Sequence, residues 1–272
     1  MISIIIPTLN EGATLGRTLD ALGSPNPALD VPWANCPSTQ EPSLAGPLIT
    51  PSITLGPQPP DPQVQDGAAL EIIVADGGSA DDTCAIAEAR RVQVVVATGG
   101  RGAQLNRGAD LAQGDILLFL HADTQLPPGF ATLVRQTLAQ PNVVAGAFEL
   151  AIDGPGWGLR WVEWGVKWRS RWLCLPYGDQ AIFLSAQRFR QVGGFAPLPI
   201  MEDFDLVQRL ARRGHIAIVP TPVTTSSRRW QRLGVGRTTL VNQGMVIGYW
   251  LGLDINQLAR WYRGLGQSRR SA

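Results

Sequence analysis

Three acids within five residues, Met201-Glu202-Asp203-Phe204-Asp205, are the densest chemical signal in the chain. A carboxylate there, Asp203 or Glu202, can take a proton from an incoming hydroxyl as a general base. Favourable charge in a first helical turn accounts for Asp205 but not for the clustering of all three. The polar run Gly178-Asp179-Gln180 precedes the apolar stretch Ala181 to Leu184 and can orient an acceptor. Asp123 follows the apolar run Asp115 to Leu120, where a carboxylate can hold Mg2+ or Mn2+ on a diphosphate. Its structural alternative is to cap a helix starting near Pro127. His121 stands where a two-carboxylate form of such a site would carry its other acid, so phosphate oxygens and water would complete the shell. His121 itself reads as a packed histidine.

Two further loops carry polar groups with exposed backbone. Pro7-Thr8-Leu9-Asn10-Glu11 follows the β-branched run Ile2 to Ile6 and opens a helix, whose free N–H groups can receive an anion or a polar ring. Capping by Thr8 or Asn10 is the plainer alternative. In Asp76-Gly77-Gly78-Ser79 the glycines let backbone approach a ligand while Asp76 accepts from base or ribose donors, unless Asp-Gly only makes a turn. Asp81 and Asp82 fit the dipole of the next helix. Gly99-Gly100-Arg101-Gly102 fails as a dinucleotide fingerprint, because Leu105 stands where the last glycine is needed. A nest of amides beside Arg101 can still hold a phosphate or carbonyl oxygen.

These loops punctuate an alternating pattern. Strands are expected at 2–6, 71–75, 92–97 and 115–120, with helices at 11–22, 81–90 and 101–113 between them. Such alternation predicts a parallel α/β sheet, whose ligands bind beyond the carboxyl ends of the strands. The second half predicts a strand near 143–152, a Trp-rich helix at 157–172, a strand at 181–184, a helix at 202–213, a strand at 216–219 and helices from Arg237. Residues 24–69 hold eleven prolines, four acids and no base, which predicts a disordered surface insertion.

The chain has 272 residues, 44% of them hydrophobic, which excludes a disordered or collagen-like class. Its 23 basic and 22 acidic side chains are unevenly placed: residues 206–272 hold eleven arginines and a single acid. That end, with Arg228, Arg229, Arg232 and Arg237, suits an anionic partner, either lipid headgroups or a diphosphate leaving group, and no nucleic acid is expected. Trp157, Trp161, Trp164, Trp168 and Trp172 recur along one helical face with Arg160, Lys167, Arg169 and Arg171 between them. A core stripe and a membrane-interface or sugar-stacking stripe both fit that spacing. Three cysteines without C-x-x-C pairing and no leader-like start suggest a cytoplasmic protein, peripheral on a membrane if attached at all. The apolar stretch Gly244 to Leu253 is too short to span a bilayer, which takes about twenty residues.

The ordered set I-I-P-T-L-N-E at 5–11, V-A-D-G-G-S at 74–79, L-H-A-D at 120–123, G-D-Q at 178–180 and M-E-D-F-D-L at 201–206 resembles family 2 glycosyltransferases of the GT-A fold. G-R-G-A-Q-L-N at 100–106 and L-P-Y-G-D-Q at 175–180 are more narrowly similar to the rSAM/selenodomain-associated transferase 2 subgroup. The resemblance implies one GT-A domain over 1–235, with a nucleotide half (1–123) and an acceptor half (124–235), followed by a helical basic tail (236–272). It places Pro7, Thr8, Asn10, Glu11, Asp76, Gly77 and Arg101 around the nucleotide of an activated sugar. Asp123 would hold the divalent metal, Asp203 would be the base and Glu202 its neighbour. Gly178, Asp179, Gln180, Arg229 and Trp230 would face acceptor and leaving group. One base on the attacking face implies inversion. Ser226 stands at the glutamine position of the Q-x-x-R-W signature of processive members, which, with the lack of spanning stretches, implies a single transfer; the acceptor expected is a hydroxyl or carboxyl, with a lipid-like molecule among the readings. A nucleotidyltransferase would want a basic glycine-rich loop after the first strand, and Pro7 to Glu11 has no Lys or Arg. A non-catalytic, membrane-associated nucleotide-sugar binder would keep Asp76 without needing Asp203.

Overall fold

A computed structural model describes residues 1–23, 69–173 and 175–267. The expected insertion lies outside the described residues except at its end, Ala69. Strand β1 (Ile2–Thr8) alternates its isoleucines across the sheet, so Ile4 and Ile6 enter one core and Ile5 the other. It is paired in parallel with β2 (Leu70–Asp76) on one side and β4 (Ile116–Phe119) on the other, and β2 pairs in parallel with β3 (Gln93–Val96). These parallel strands carry near-continuous apolar runs because both faces are covered. The full sheet has eight strands in the order β3-β2-β1-β4-β7-β6-β8-β5. In its second half β7 (Phe183–Ser185) runs antiparallel to β4 and β6 (Val143–Asp153), β8 (His215–Ser226) runs parallel to β6, and β5 (Thr124–Gln125) closes the edge antiparallel to β8. The sheet therefore mixes the parallel pairing expected with antiparallel pairs at β7 and β5.

Helices α1 (Gly12–Leu22), α2 (Thr83–Ala89), α4 (Phe130–Leu138) and α5 (Trp157–Leu173) feed one core through Leu15, Leu19, Ala87, Val134 and Leu159. Helices α3 (Arg101–Leu111), α6 (Ala186–Gln191) and α7 (Glu202–Ala211) feed the other through Leu105, Phe189, Leu206 and Leu210. After β8 the chain continues as α8 (Arg228–Leu233), α9 (Val235–Trp250) and α10 (Ile255–Gln267). Among the described residues no helix is long and apolar enough to cross a membrane.

Three prolines lie inside strands that run beyond their expected bounds. β1 does not stop at Pro7 but runs to Thr8: its pairing with β4 ends at Ile5, so Pro7 sits where one side of the strand is already free. β8 extends far beyond the expected 216–219, because Pro220 and Pro222 are absorbed by a register shift opposite Phe148 and Glu149. α6 and the short β5 are elements that the apolar pattern did not announce.

Candidate active site

The carboxyl ends of β1 and β2 carry two loops that bind each other. Thr8 Oγ1 donates to Asp76 Oδ1 at 2.9 Å, and the Gly78 and Ser79 amides donate to Asp76 Oδ2 at 2.8 and 2.7 Å. The Ser79 hydroxyl adds a bond of 2.5 Å. Burial pushes the Asp76 carboxyl up, but these donors outweigh it and hold it below the usual range. Asp76 is 1% exposed, so it shapes the loop and has little surface left to receive ribose or base. Asn10, with φ of 56°, accepts from the Ala80 amide at 2.9 Å and donates its own amide to Ser79 Oγ at 2.8 Å. The Glu11 amide donates to Thr83 Oγ1, while Asp81 accepts from the Gly12 and Thr83 amides. Gln104 on α3 donates to the carbonyls of Thr8 and Ala75 at 2.6 and 3.1 Å, tying both strand ends together. Gly77 leaves room for it: a Cβ there would come within 2.8 Å of Gln104 Nε2.

A second cluster forms around Arg101 at the start of α3. Its guanidinium binds Glu202 through Nε, Asp203 Oδ2 through Nη2 at 3.1 Å, and His121 Nε2 through Nη1 at 2.9 Å. Arg101 therefore belongs with the acid pair rather than with the loops where the nucleotide was expected. Asp203 also accepts from the Gly178 amide at 2.7 Å and from the Phe204 amide at 2.8 Å. Burial raises Asp203, yet Arg101, the two amides and His121 outweigh it, and its carboxyl lies below the ordinary value. Burial and the adjacent Arg101 push His121 down to about 3, so the imidazole is neutral and accepts the Arg101 proton at Nε2. Gly178 is required here, since a Cβ would meet Asp203 Oδ2 at 2.8 Å and Arg101 Nη2 and His121 Nε2 at 3.2 Å.

Asp123 joins the two clusters. Arg228 Nη2 lies 2.7 Å from Glu11 Oε2 and 3.2 Å from Asp123 Oδ2, so one nitrogen holds a carboxylate from each side. Burial raises the Asp123 carboxyl and Glu11 adds to that, against the pull of Arg228. Asp123 does not cap the next helix, which begins at Phe130 behind Gly129.

Arg101, His121, Asp123, Asp179, residues 199–204, Arg229, Trp230 and residues of α9 and α10 line a cavity of about 380 Å³. Two of its polar atoms are buried without a partner: Asp179 Oδ1 and Trp230 Nε1. Burial pushes Asp179 up, which Arg169 counters and Asp203 reinforces. Gln180 is not at the cavity. It is fully buried, accepts from Ser170 Oγ at 2.9 Å and donates to the Phe148 carbonyl at 2.8 Å, so its work is structural. Arg229 lies over the Tyr262 ring at 4.8 Å and donates to Asn242 Oδ1 at 3.3 Å. Asp205 pairs with Arg209 at 2.7 Å within α7, as its helical position suggested.

Sequence reading missed Arg228 as a bridge, Gln104 as a staple and His121 as a partner of Arg101. An unmatched cation next to Arg229 was the only available signal for the first.

Among the described residues no group of three or more His, Cys, Asp or Glu side chains is arranged to hold a metal. Asp123 with Glu11 offers the one or two carboxylates with which Mg2+-type ions are commonly bound when phosphate oxygens and water supply the rest. The donor set fits such an ion once Arg228 gives way.

Residues 63–185 match the sequence model described as glycosyl transferase family 2. None of the curated proteins matches the chain. Among solved structures, the chain is similar to S. aureus TarS 1-349 in complex with UDP-GlcNAc, at 15% identity and a TM-score of 0.53 over 83% of this chain and 58% of that one. It is similar to the Pyrobaculum calidifontis mannosyltransferase PcManGT in complex with GDP-Man and Mn2+, at 17% identity and a TM-score of 0.52 over 83% and 56%. It is also similar to glucosyl-3-phosphoglycerate synthase from Mycobacterium tuberculosis with Mn2+, UDP and glucosyl-3-phosphoglycerate, at 21% identity and a TM-score of 0.52 over 89% and 77%. Against a longer TarS structure the chain spans 38% of the partner's length. The mixed sheet flanked by helices is the GT-A fold.

Proposed function

We propose that the chain is a family 2 glycosyltransferase that moves one sugar from a nucleoside diphosphate to a hydroxyl or carboxyl acceptor, with inversion at the anomeric carbon. The carrying observation is the cavity itself: the acid pair, Asp179 and Trp230 line it together with His121 and Asp123 beyond the carboxyl end of β4, and Asp179 and Trp230 each bury one polar atom without a partner. The family match over 63–185 and the GT-A fold support the same reading. The finer likeness to the rSAM/selenodomain-associated subgroup stays a proposal, resting on the motifs at 100–106 and 175–180.

The double loop of Pro7, Thr8, Asn10, Glu11, Asp76 and Gly77 receives the nucleotide, with Asp76 fixing its shape. Asp123, with Glu11 beside it, would hold Mg2+ or Mn2+. Bound there, the ion would neutralise charge gathering on the departing diphosphate. Asp179 orients the acceptor, and Trp230 and Arg229 face the oxygens that leave. Asp203 takes the acceptor proton as the new oxygen–carbon bond forms and the bond to the diphosphate breaks on the opposite face. Met245, Val246 and Tyr262 make that end of the cavity apolar, which suits a lipid-soluble acceptor. Arg101 holds Glu202 and Asp203 in the resting arrangement, and its hold on the base is the observation that favours the alternative of a binder without turnover.

Calorimetric titration of the wild type and Asp123→Ala with UDP, GDP and other nucleoside diphosphates, with and without Mn2+, tests the reading. Metal-enhanced binding of one nucleotide, lost in the variant, is expected. Absence of binding by every nucleotide would overturn it.

A further inference from the structure

Twelve large hydrophobic side chains stand exposed among the described residues, and ten of them lie on α5, α9, α10 or the turn after α9. On α5, Trp157, Trp161, Trp164 and Trp168 are 85%, 67%, 61% and 52% exposed. The helix packs inward through a different stripe, Leu159, Val162 and Val166, so the tryptophans are not its core face. The core reading of that stripe is thereby corrected. Leu240 and Ile247 on α9, and Leu251 in the turn that follows it, recur on the exposed side at helical spacing. The two helices are neighbours, with Gly158 against Val235, so both stripes belong to one helical layer.

Isolated exposed apolar side chains need no explanation, but a concentration of this kind marks an interaction surface. Its chemistry is narrow. Tryptophan combines a large apolar body with a polar N–H, the combination that settles at a membrane–water boundary. The layer's charge is one-sided: from Val235 to Gln267 the chain carries three arginines, Arg237, Arg260 and Arg263, and one acid, Asp254. On α5, Arg160 and Lys167 are about half exposed while each contacts a glutamate, so their outer edges still face solvent. A second copy of the chain is the poorer occupant, because a two-fold contact sets the same patch against itself and so arginine against arginine.

We propose that α5, α9 and α10 form a docking face for an anionic lipid bilayer, the tryptophans entering the headgroup boundary and the arginines meeting lipid phosphates. No helix needs to span. The face stands on the surface chemistry alone and holds whether or not the cavity transfers sugar. α9 and α10 also line the cavity through Asn242, Met245, Val246 and Tyr262, so the docking face and the cavity share two helices.

The test is sedimentation of the full chain with phosphatidylcholine vesicles and with vesicles containing about one third phosphatidylglycerol, at low and high salt. Trp157→Ala/Trp161→Ala/Trp164→Ala serves as the variant, and its circular dichroism and thermal midpoint are compared with wild type. These positions lie outside both site clusters. Expected are partitioning to the anionic vesicles, weakening with salt, and a loss of about tenfold or more in the folded triple variant. Binding unchanged in the variant, or equal on both vesicle types, would overturn the proposal. So would wild-type dimerisation without vesicles that the triple variant abolishes, since the face would then belong to a second copy.

Discussion

Asp203, the proposed base, is held in check. Its two oxygens accept from Gly178, Phe204 and Arg101, and these outweigh the burial that would raise it. At neutral pH it is therefore ionised, but its lone pairs are engaged until Arg101 turns elsewhere. Asp203→Asn keeps the volume and removes the basicity, so turnover should fall at least about 100-fold while nucleotide affinity by calorimetry stays within about twofold. Unchanged turnover would remove Asp203 from the mechanism. Arg101→Met should expose the opposing forces directly. Without the guanidinium, burial dominates and Asp203 moves upward, so the acid limb of kcat/KM against pH should shift to higher pH. His121 is pushed down to about 3, so no limb near its usual value should appear in the wild type, and finding one would contradict its bond to Arg101.

Arg228 sits at the first turn of α8, and the helix brings it back over loops more than a hundred residues earlier in sequence. It occupies the ground between Glu11 and Asp123 that a divalent ion would need. Arg228→Ala should thus tighten nucleotide-free Mn2+ binding, by about tenfold in an electron paramagnetic resonance titration, whereas weaker binding would mean that the guanidinium helps to build the site. The sequence revealed the strands and helices of the first half because β-branched runs such as Ile2 to Ile6 and Glu71 to Ala75 alternate with amphipathic segments. It revealed Asp123, Asp179, Glu202 and Asp203 as neighbours of strand ends or a helix start, and these do line one cavity. It hid what depends on distant partners. Gln180 looked like an acceptor ligand until Ser170 and Phe148 claimed both ends of its amide. Arg101 looked like a phosphate ligand because its acids lie a hundred residues away. The extent of β8 was concealed by Pro220 and Pro222, since a register shift is a property of the pair of strands and not of either one. The tryptophan period defined a face but not its direction, which the inward stripe of Leu159 and Val162 decides.

At the scale of the molecule, the cavity lies on the seam between an acid-rich portion and an arginine-rich end. Asp123, Asp179, Glu202 and Asp203 come from the first and Arg229 from the second, with Arg228 beside them holding Glu11 and Asp123. The carboxylates do not contribute alike to stability. Asp76 and Asp203 are held below the usual range, so each contributes stability above the ordinary carboxylate value that is lost as pH falls through its folded pKa. Asp179 is raised, mainly by burial, and has a buried oxygen without a partner, so its charged form costs the fold at neutral pH and that cost disappears as pH falls below its folded pKa. A group kept at such a cost is expected where function needs it. Asp179→Asn should accordingly raise the thermal unfolding midpoint at neutral pH, by roughly 2–4 °C for each kcal/mol relieved in a domain of this size. Transfer should fall at the same time through a higher KM for the acceptor, and the stability gain should shrink as the pH of the melt is lowered and wild-type Asp179 becomes protonated. A variant that melts lower at neutral pH, or a gain that grows on acidification, would show that Asp179 supports the fold rather than the ligand.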